Sequence, residues 1–425
     1  MDTTQSATTP AAKTKPGLPL WLSALIPLAL LGLLVAAFFY TNPLALFSGN
    51  LPPIESLAIE KIELHPGQFV VTVFNGSPEA LAIAQVTVDD AFWEWEIAPS
   101  AELPRFGRAT ITIPYAWVEG EPHAITLITN SGTTFTGEVA IATETPRPGP
   151  AQFLAYGLLG IYIGIIPVGL GLLWFPAMRR MGRKGLNFAL ALTVGLLVFL
   201  LIDTALEAIE VAGDVAGVFQ GLPVAIFAAL LAWLAILAVS GKQSEAERDS
   251  GSGRLRLATL IALSIGLHNL GEGLAVGAAF ALGEATLASF LVIGFTLHNV
   301  TEGIGIAAPL TRSNRQAERA NGQEALAAPV TKDKPSLKVF VGLALLAGAP
   351  AIVGAWVGGF AYSPLLATIF LGVGVGAIWQ VIVEVGRLLL HDAQKHNESV
   401  ANWINLAGLT LGIAVMYFTA YFVKF

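Results

Sequence analysis

The chain has 425 residues, of which 54% are hydrophobic and only 12% are charged, about half the charged fraction of a soluble globular domain. The net charge is −7 and cysteine is absent, which excludes thiolate metal ligands and disulfides. No basic groove with interleaved aromatic residues is found, and no nucleic-acid partner is expected. The composition is typical of a mainly α-helical membrane protein surrounded by the lipid bilayer.

Nine apolar segments are long enough, at about 20 residues or more, to cross a hydrocarbon core roughly 30 Å thick as helices. They are placed at 18–40, 151–176, 185–211, 217–240, 255–282, 285–310, 338–361, 363–390 and 402–423. With the N-terminus in the cytoplasm, 18 of the 23 Lys and Arg residues lie on the cytoplasmic side. The positive-inside rule therefore predicts a multi-pass plasma-membrane protein with a cytoplasmic N-terminus and an extracytoplasmic C-terminus.

The N-terminal region divides into a cytoplasmic tail at 1–17 and a membrane anchor at 18–40. A cleaved signal peptide is the alternative interpretation of this anchor. Its apolar core, however, is longer than the usual 7–15 residues, and no convincing small-residue cleavage site follows it. Both interpretations export the segment that comes next.

Residues 53–145 have a different pattern from the rest of the chain. Short alternating runs such as "FVVTVFN" and "ATITIPYAWV" are separated by turn signals such as "HPGQ" and "NSGTT". This pattern predicts an extracytoplasmic all-β module, an Ig-like sandwich of roughly seven strands. Its two histidines, His65 and His123, are interpreted as solvated loop residues, and the "FWEWE" stretch at 92–96 as a strand edge that packs on the core.

Two similar polar motifs interrupt consecutive apolar segments of the remaining region, 151–425. "GLHNLGEGLAV" spans 266–276, and "TLHNVTEGIGIA" spans 296–307. In each motif the His and the Glu are four residues apart and share a helix face, with the Asn one step round. Each motif lies about 15 residues from the connection near Gly283, so an antiparallel hairpin places both at the same depth.

The motif side chains are His268, Asn269, Glu272, His298, Asn299 and Glu302. Ionisable residues in a membrane helix are costly unless they face the interior and find a partner. Two imidazoles and two carboxylates in one dry site match the ligands that Zn²⁺, Fe²⁺ or Mn²⁺ accepts. The alternative is a hydrogen-bond cluster that only joins the helices.

Two further groups of polar residues accompany the motifs. On the third span, Asp203, Glu207, Glu210 and Asp214 form an acidic stripe along one helix face, which would attract cations to the mouth of a pathway. Asp203 and Glu207 are the members expected to have a function. On the eighth span, Glu384 is either part of an exit path or a simple partner of Arg387.

The paired motifs "HNLGEG" and "HNVTEG" resemble those of the ZIP (Zrt/Irt-like) family of divalent metal transporters. The resemblance covers about 151–425, and it implies an eight-helix bundle with a cytoplasmic loop at 311–337. It further implies that His268, Glu272, His298 and Glu302 form the main transport site, with Asn269 and Asn299 contributing to an adjacent one.

The chain departs from the family pattern at three positions. Gly271 and Thr301 stand where many relatives have Pro before the motif Glu, so any helix kinks are expected to be made differently. Ala349 precedes Pro350 where relatives with two metal sites have Glu, which puts a second site in doubt.

The sequence thus predicts a transporter, not an enzyme, that moves a divalent cation into the cytoplasm by alternating access. Zn²⁺ is the expected substrate, with Fe²⁺, Mn²⁺ and Cd²⁺ as other candidates, and no cofactor is expected. An intramembrane metal-dependent hydrolase and a membrane metal sensor are the alternatives. The oligomeric state is open, a homodimer included.

Overall fold

The computed structural model describes residues 20–41, 54–240, 250–283, 285–311 and 335–423. The predicted tail at 1–17 and most of the predicted loop at 311–337 lie outside these residues. Helix α1, Leu20–Thr41, belongs to a unit separate from residues 54–425. The larger unit contains a β-module followed by a helical bundle.

The bundle helices follow one another with short connections. Their bounds are α2 Pro150–Gly160, α3 Ile166–Leu172, α4 Phe175–Met178, α5 Arg183–Gly213, α6 Gly221–Ser240, α7 Gly251–Ala281, α8 Ala285–Ala307, α9 Leu337–Gly348, α10 Pro350–Ala361, α11 Pro364–Lys395 and α12 Trp403–Val423. One π-helical turn, Ile161–Ile165, joins α2 to α3. Consecutive pieces such as α9 and α10 together make single spans.

Eight helical segments of the described chain are long and apolar enough to cross a membrane. They match the last eight predicted spans to within a few residues, which supports a multi-pass membrane protein. Helix α1 has 22 residues, the length of a bilayer crossing. The apolar stretch whose side chains are described, Leu25–Phe38, is shorter, so α1 is not among the eight.

The β-module consists of two antiparallel sheets around one apolar core. The strands are β1 Leu57–His65, β2 Gln68–Asn75, β3 Leu81–Val88, β4 Ala91–Phe92, β5 Glu96–Ala98, β6 Glu102–Leu103, β7 Arg108–Pro114, β8 His123–Thr129 and β9 Thr134–Val139. One sheet has the order β1-β2-β7-β5, and the other β4-β3-β8-β9 with β6 beside β3. Nine strands are found where roughly seven are predicted, and three of them, β4, β5 and β6, are only two or three residues long.

His123 differs from its sequence interpretation as a solvated loop residue. It begins β8, is buried, and places Nδ1 2.8 Å from Asp89 Oδ2. Its ring packs against Phe69 and Tyr115, with both centroids 5.4 Å away. Burial opposes ionisation of Asp89, but hydrogen bonds from His123 and from the Ala124 N–H outweigh it and lower the Asp89 pKa below its usual 3.8.

Replacing Asp89 with Asn is expected to loosen β8 and to reduce the acid sensitivity of the β-module. A carboxyl whose pKa is lowered by folding stabilises the fold above its unfolded pKa and loses that effect as the pH falls through the folded value. Amide hydrogen exchange of β8 peptides, compared between the two proteins at pH 7 and at pH 3, measures this. The variant should exchange faster at pH 7, and the difference should shrink at pH 3. Equal exchange at pH 7 would contradict the assignment.

The β-module contacts two connecting loops of the bundle. Phe74 and Phe106 stack on Phe219, in the connection between α5 and α6, with centroid distances of 5.5 and 6.5 Å. Thr143 Oγ1 donates a hydrogen bond to the Gly283 carbonyl, in the connection between α7 and α8. The φ of Gly283 is +81°, and a Cβ there would collide with Thr143. Both contacted loops end helices that carry predicted site residues.

Several helices of the bundle touch backbone to backbone. A Cβ at Gly273 of α7 would collide with the Ala351 carbonyl of α10, and one at Gly171 of α3 with the Val300 carbonyl of α8. Such contacts between small residues replace the hydrophobic effect as a cause of helix association in lipid. Helices α7 and α8 are therefore held close to the neighbours that complete the site.

Candidate metal centre

The two polar motifs meet inside the bundle, as the sequence predicts. His268 Nε2 lies 3.0 Å from Glu272 Oε1, and His298 Nε2 contacts the same oxygen from α8. Ligand atoms of these three residues all lie within 4.8 Å of one another, and all three side chains are buried. One carboxylate oxygen thus contacts two imidazole nitrogens, and the three groups lie close enough together to bind a single cation.

The two motif asparagines anchor the site to neighbouring helices. Asn299 Nδ2 donates to Glu272 Oε2 and to the Ile163 carbonyl, each at 2.9 Å. Asn269 Nδ2 donates to the Ala347 carbonyl at 3.0 Å. Both asparagines are fully buried. These bonds fix the depth of α7 and α8 relative to the π-helical turn at Ile161–Ile165 and to α9.

The helix irregularities lie beside the motifs rather than within them. Helices α7 and α8 run unbroken through Gly271 and Thr301. The π-helical turn around Ile163 and the break between Gly348 and Pro350 supply the irregular backbone instead. π-Helical turns are frequent at functional sites, and the carbonyls bonded by the asparagines lie at or next to these two interruptions.

Glu302 is the second motif carboxylate, and its surroundings differ from those of Glu272. It is 5% exposed, yet neither of its oxygens receives a hydrogen bond from any described residue. Asn269 lies near this carboxyl without adopting hydrogen-bonding geometry. The side-chain carbonyl oxygens of Asn269 and Asn299 are also buried without partners among the described residues. Since a buried polar atom without a partner costs about 1–3 kcal/mol, these oxygens mark a place for a polar occupant.

A small cavity of about 10 Å³ adjoins Glu302, which is room for about one water molecule. His298, Thr301 and Glu302 form its polar side. The rest of its lining comes mainly from apolar side chains of α5, α7 and α12, namely Leu196, Leu197, Leu200, Ile265 and Met416. The site is therefore narrow and closed by apolar side chains on this side.

The acidic stripe of α5 divides into an inner and an outer part. Asp203 and Glu207 are half-buried, whereas Glu210 and Asp214 are exposed. Glu207 is near enough to His268 and Glu272 for their charges to interact. Asp203 interacts in the same way with His298. The inner pair thus faces the His/Glu group, in keeping with the sequence analysis.

Glu384 of α11 lies outside the His/Glu group. Its Oε1 accepts hydrogen bonds from Gln380 Nε2 at 2.9 Å and from Arg387 Nη1 at 3.0 Å. Trp233 Nε1 donates to the Gln380 side chain at 3.0 Å, which ties this chain of contacts to α6. Glu384 is thus placed as a partner of Arg387, the simpler of its two sequence interpretations.

Sequence reasoning missed the backbone groups and small residues that shape the site. The Ile163 and Ala347 carbonyls carry no side-chain signal, although Pro350 does mark the helix break near Ala347. Gly374 of α11 packs against the His268 ring, and a Cβ there would lie 3.4 Å from Nδ1. This glycine lets α11 cover the imidazole closely.

The donor set fits a borderline-soft divalent cation because it combines two imidazoles with a carboxylate and lies near a second carboxylate. Ala349, between α9 and α10, offers no side-chain ligand atom. The geometry of the described residues therefore supports one compact centre. No family model matches this chain, and no curated protein matches its sequence.

Proposed function

We propose that the protein transports a divalent metal cation, Zn²⁺ foremost, across the membrane into the cytoplasm through the centre at His268, Glu272 and His298. The observation that carries this proposal is a buried His/Glu group beside a carboxylate, Glu302, that accepts no hydrogen bond from the described residues. A cluster that served only to join helices would pair its own polar atoms, because unpaired ones weaken it. A cation passing through would pair them transiently.

Three other features support transport over stable storage of a metal. The acidic side chains of Asp203 and Glu207 continue from the centre along α5, as a cation pathway requires. Interrupted membrane helices, such as those at Ile163 and Ala349, are typical of transporter sites. The paired motifs resemble those of the ZIP family, so we assign the chain to a ZIP-like mechanism with inward transport through the plasma membrane.

The test is uptake of radiolabelled Zn²⁺ by proteoliposomes that contain the purified protein. Saturable uptake above that of protein-free vesicles is expected, with competition by Cd²⁺, Fe²⁺ or Mn²⁺ revealing the order of preference. His298→Ala should abolish it, while Thr296→Val, which removes only a hydrogen bond within the same helix, should not. Saturable binding without uptake would favour a metal sensor. Full uptake by His298→Ala would reject the centre.

A further inference from the structure

The β-module carries the net negative charge of the protein. Residues 54–145 include 13 acidic and 3 basic residues, a net charge of −10, whereas the rest of the chain has a net charge of +3. A surface charge of this density attracts cations and repels anions. Any ligand of the module is therefore selected first by positive charge.

An open groove of about 580 Å³ lies on this module at the edges of both sheets. It is lined by the five consecutive residues 92–96 together with Gln85 and Pro114. Phe92, Trp93 and Trp95 and the two acidic residues Glu94 and Glu96 line one space, and no basic side chain lines it. The segment joins β4 to β5, so it crosses from one sheet to the other.

Contacts within the β-module hold the groove in shape without a ligand. Trp93 Nε1 donates a hydrogen bond to the Pro114 carbonyl, and its ring meets Tyr115 edge-on with centroids 4.9 Å apart. Trp95 packs against the apolar core of the module. Phe92 and Trp93 nevertheless remain 69% and 38% exposed. The interpretation of this stretch as a strand edge packed on the core thus describes Trp95 but not its two aromatic neighbours.

We propose that this groove binds an organic ammonium ion, either a free quaternary ammonium compound or the side chain of a Lys residue in a peptide. An aromatic face attracts such a cation through its quadrupole. The carboxylates of Glu94 and Glu96 add charge attraction at the rim. Fixed rings lower the entropic cost of binding. This site is independent of the proposed metal transport, since none of its residues belongs to the metal centre.

The experiment measures binding to the full-length protein in nanodiscs of phosphatidylglycerol, a lipid without an ammonium headgroup of the choline type. The probes are choline, a short peptide with one Lys, and 3,3-dimethylbutanol, which is the uncharged isostere of choline. Titration calorimetry or saturation-transfer NMR should show binding of choline or of the peptide, and the tighter of the two identifies the source. The isostere should not bind. Binding of the cations should weaken in 0.5 M NaCl, because exposed charges are screened at that ionic strength.

Two variants locate the site. Phe92→Leu keeps an apolar side chain but removes a π face, and it should weaken binding about two- to fivefold. The double variant Glu94→Gln, Glu96→Gln should weaken it at least as much, while the matched control Glu79→Gln, Glu102→Gln, at exposed positions outside the groove, should leave it unchanged. Equal binding of the isostere, no binding of either cation, or unchanged affinity in both variants would overturn the proposal.

Discussion

Replacing Glu272 with Gln is expected to lower Zn²⁺ uptake at least about a hundredfold. Glu272 is the residue that contacts both imidazoles and Asn299. The amide is nearly isosteric, but it has no negative charge to offset the cation, and its nitrogen cannot accept a hydrogen bond. Loss of a hydrogen-bond partner of a metal ligand already lowers metal affinity or activity about 10–100-fold. Loss of the proposed ligand itself should therefore cost more.

The same substitution should also destabilise the metal-free protein. It leaves a donor of His268, His298 or Asn299 without an acceptor, at about 1–3 kcal/mol for each buried group. Uptake is measured in proteoliposomes, and thermal unfolding of the purified protein is followed without metal. The control is Thr296→Val, which should retain both properties. Uptake within a factor of three of the wild type would contradict the role of Glu272.

Replacing Glu302 with Leu is expected to abolish uptake and, in contrast, to stabilise the metal-free protein. The Glu302 oxygens are buried and accept no hydrogen bond from the part of the chain that the structure describes, and the adjoining cavity is lined by Leu196, Leu197 and Leu200. A leucine would pack there and remove an unpaired polar group, which is worth about 1–3 kcal/mol. Replacing buried charged groups by apolar residues of similar volume often stabilises proteins.

Thermal unfolding with and without Zn²⁺ distinguishes function from structure at this position. The wild type should unfold at a higher temperature when Zn²⁺ is present, because a ligand that binds the native state stabilises it. The metal-free Glu302→Leu variant should unfold at a higher temperature than the metal-free wild type, and Zn²⁺ should raise its unfolding temperature much less. A lower unfolding temperature in the metal-free variant would mean that Glu302 holds the fold together, and the transport assignment would lose its main support.

The membrane spans were predictable because their signal is local. A run of about 20 apolar residues is enough to identify a span, and α5, predicted at 185–211, is observed at Arg183–Gly213. The meeting of the motifs was predictable too, since equal distances from Gly283 place them at one depth. Helical spacing alone gave the shared face of His268 and Glu272.

Other features depend on contacts between distant parts of the chain. Glu272 and Glu302 have the same local sequence context, yet Glu272 contacts two imidazoles and Glu302 accepts no hydrogen bond within the described ranges. Only the packing of α5 and α12 beside α8 decides which is which. His123 lies beside a turn signal and was interpreted as solvated, but it begins β8 and its ring packs against Phe69 and Tyr115. Short strands such as β4 have no periodicity to detect.

The backbone contact between α7 and α10 also determines how the centre responds to its lipid surroundings. Bilayers differ in thickness, and helices adjust to a mismatch chiefly by tilting. Helices whose main chains touch at Gly273 and Ala351 have no side-chain layer between them that could be compressed or repacked. A Cβ at Gly266 of α7 would likewise collide with the Leu346 carbonyl of α9. A thicker or thinner bilayer would therefore tilt α7, α9 and α10 together, and the separation of Asn269 from the Ala347 carbonyl of α9 would stay the same.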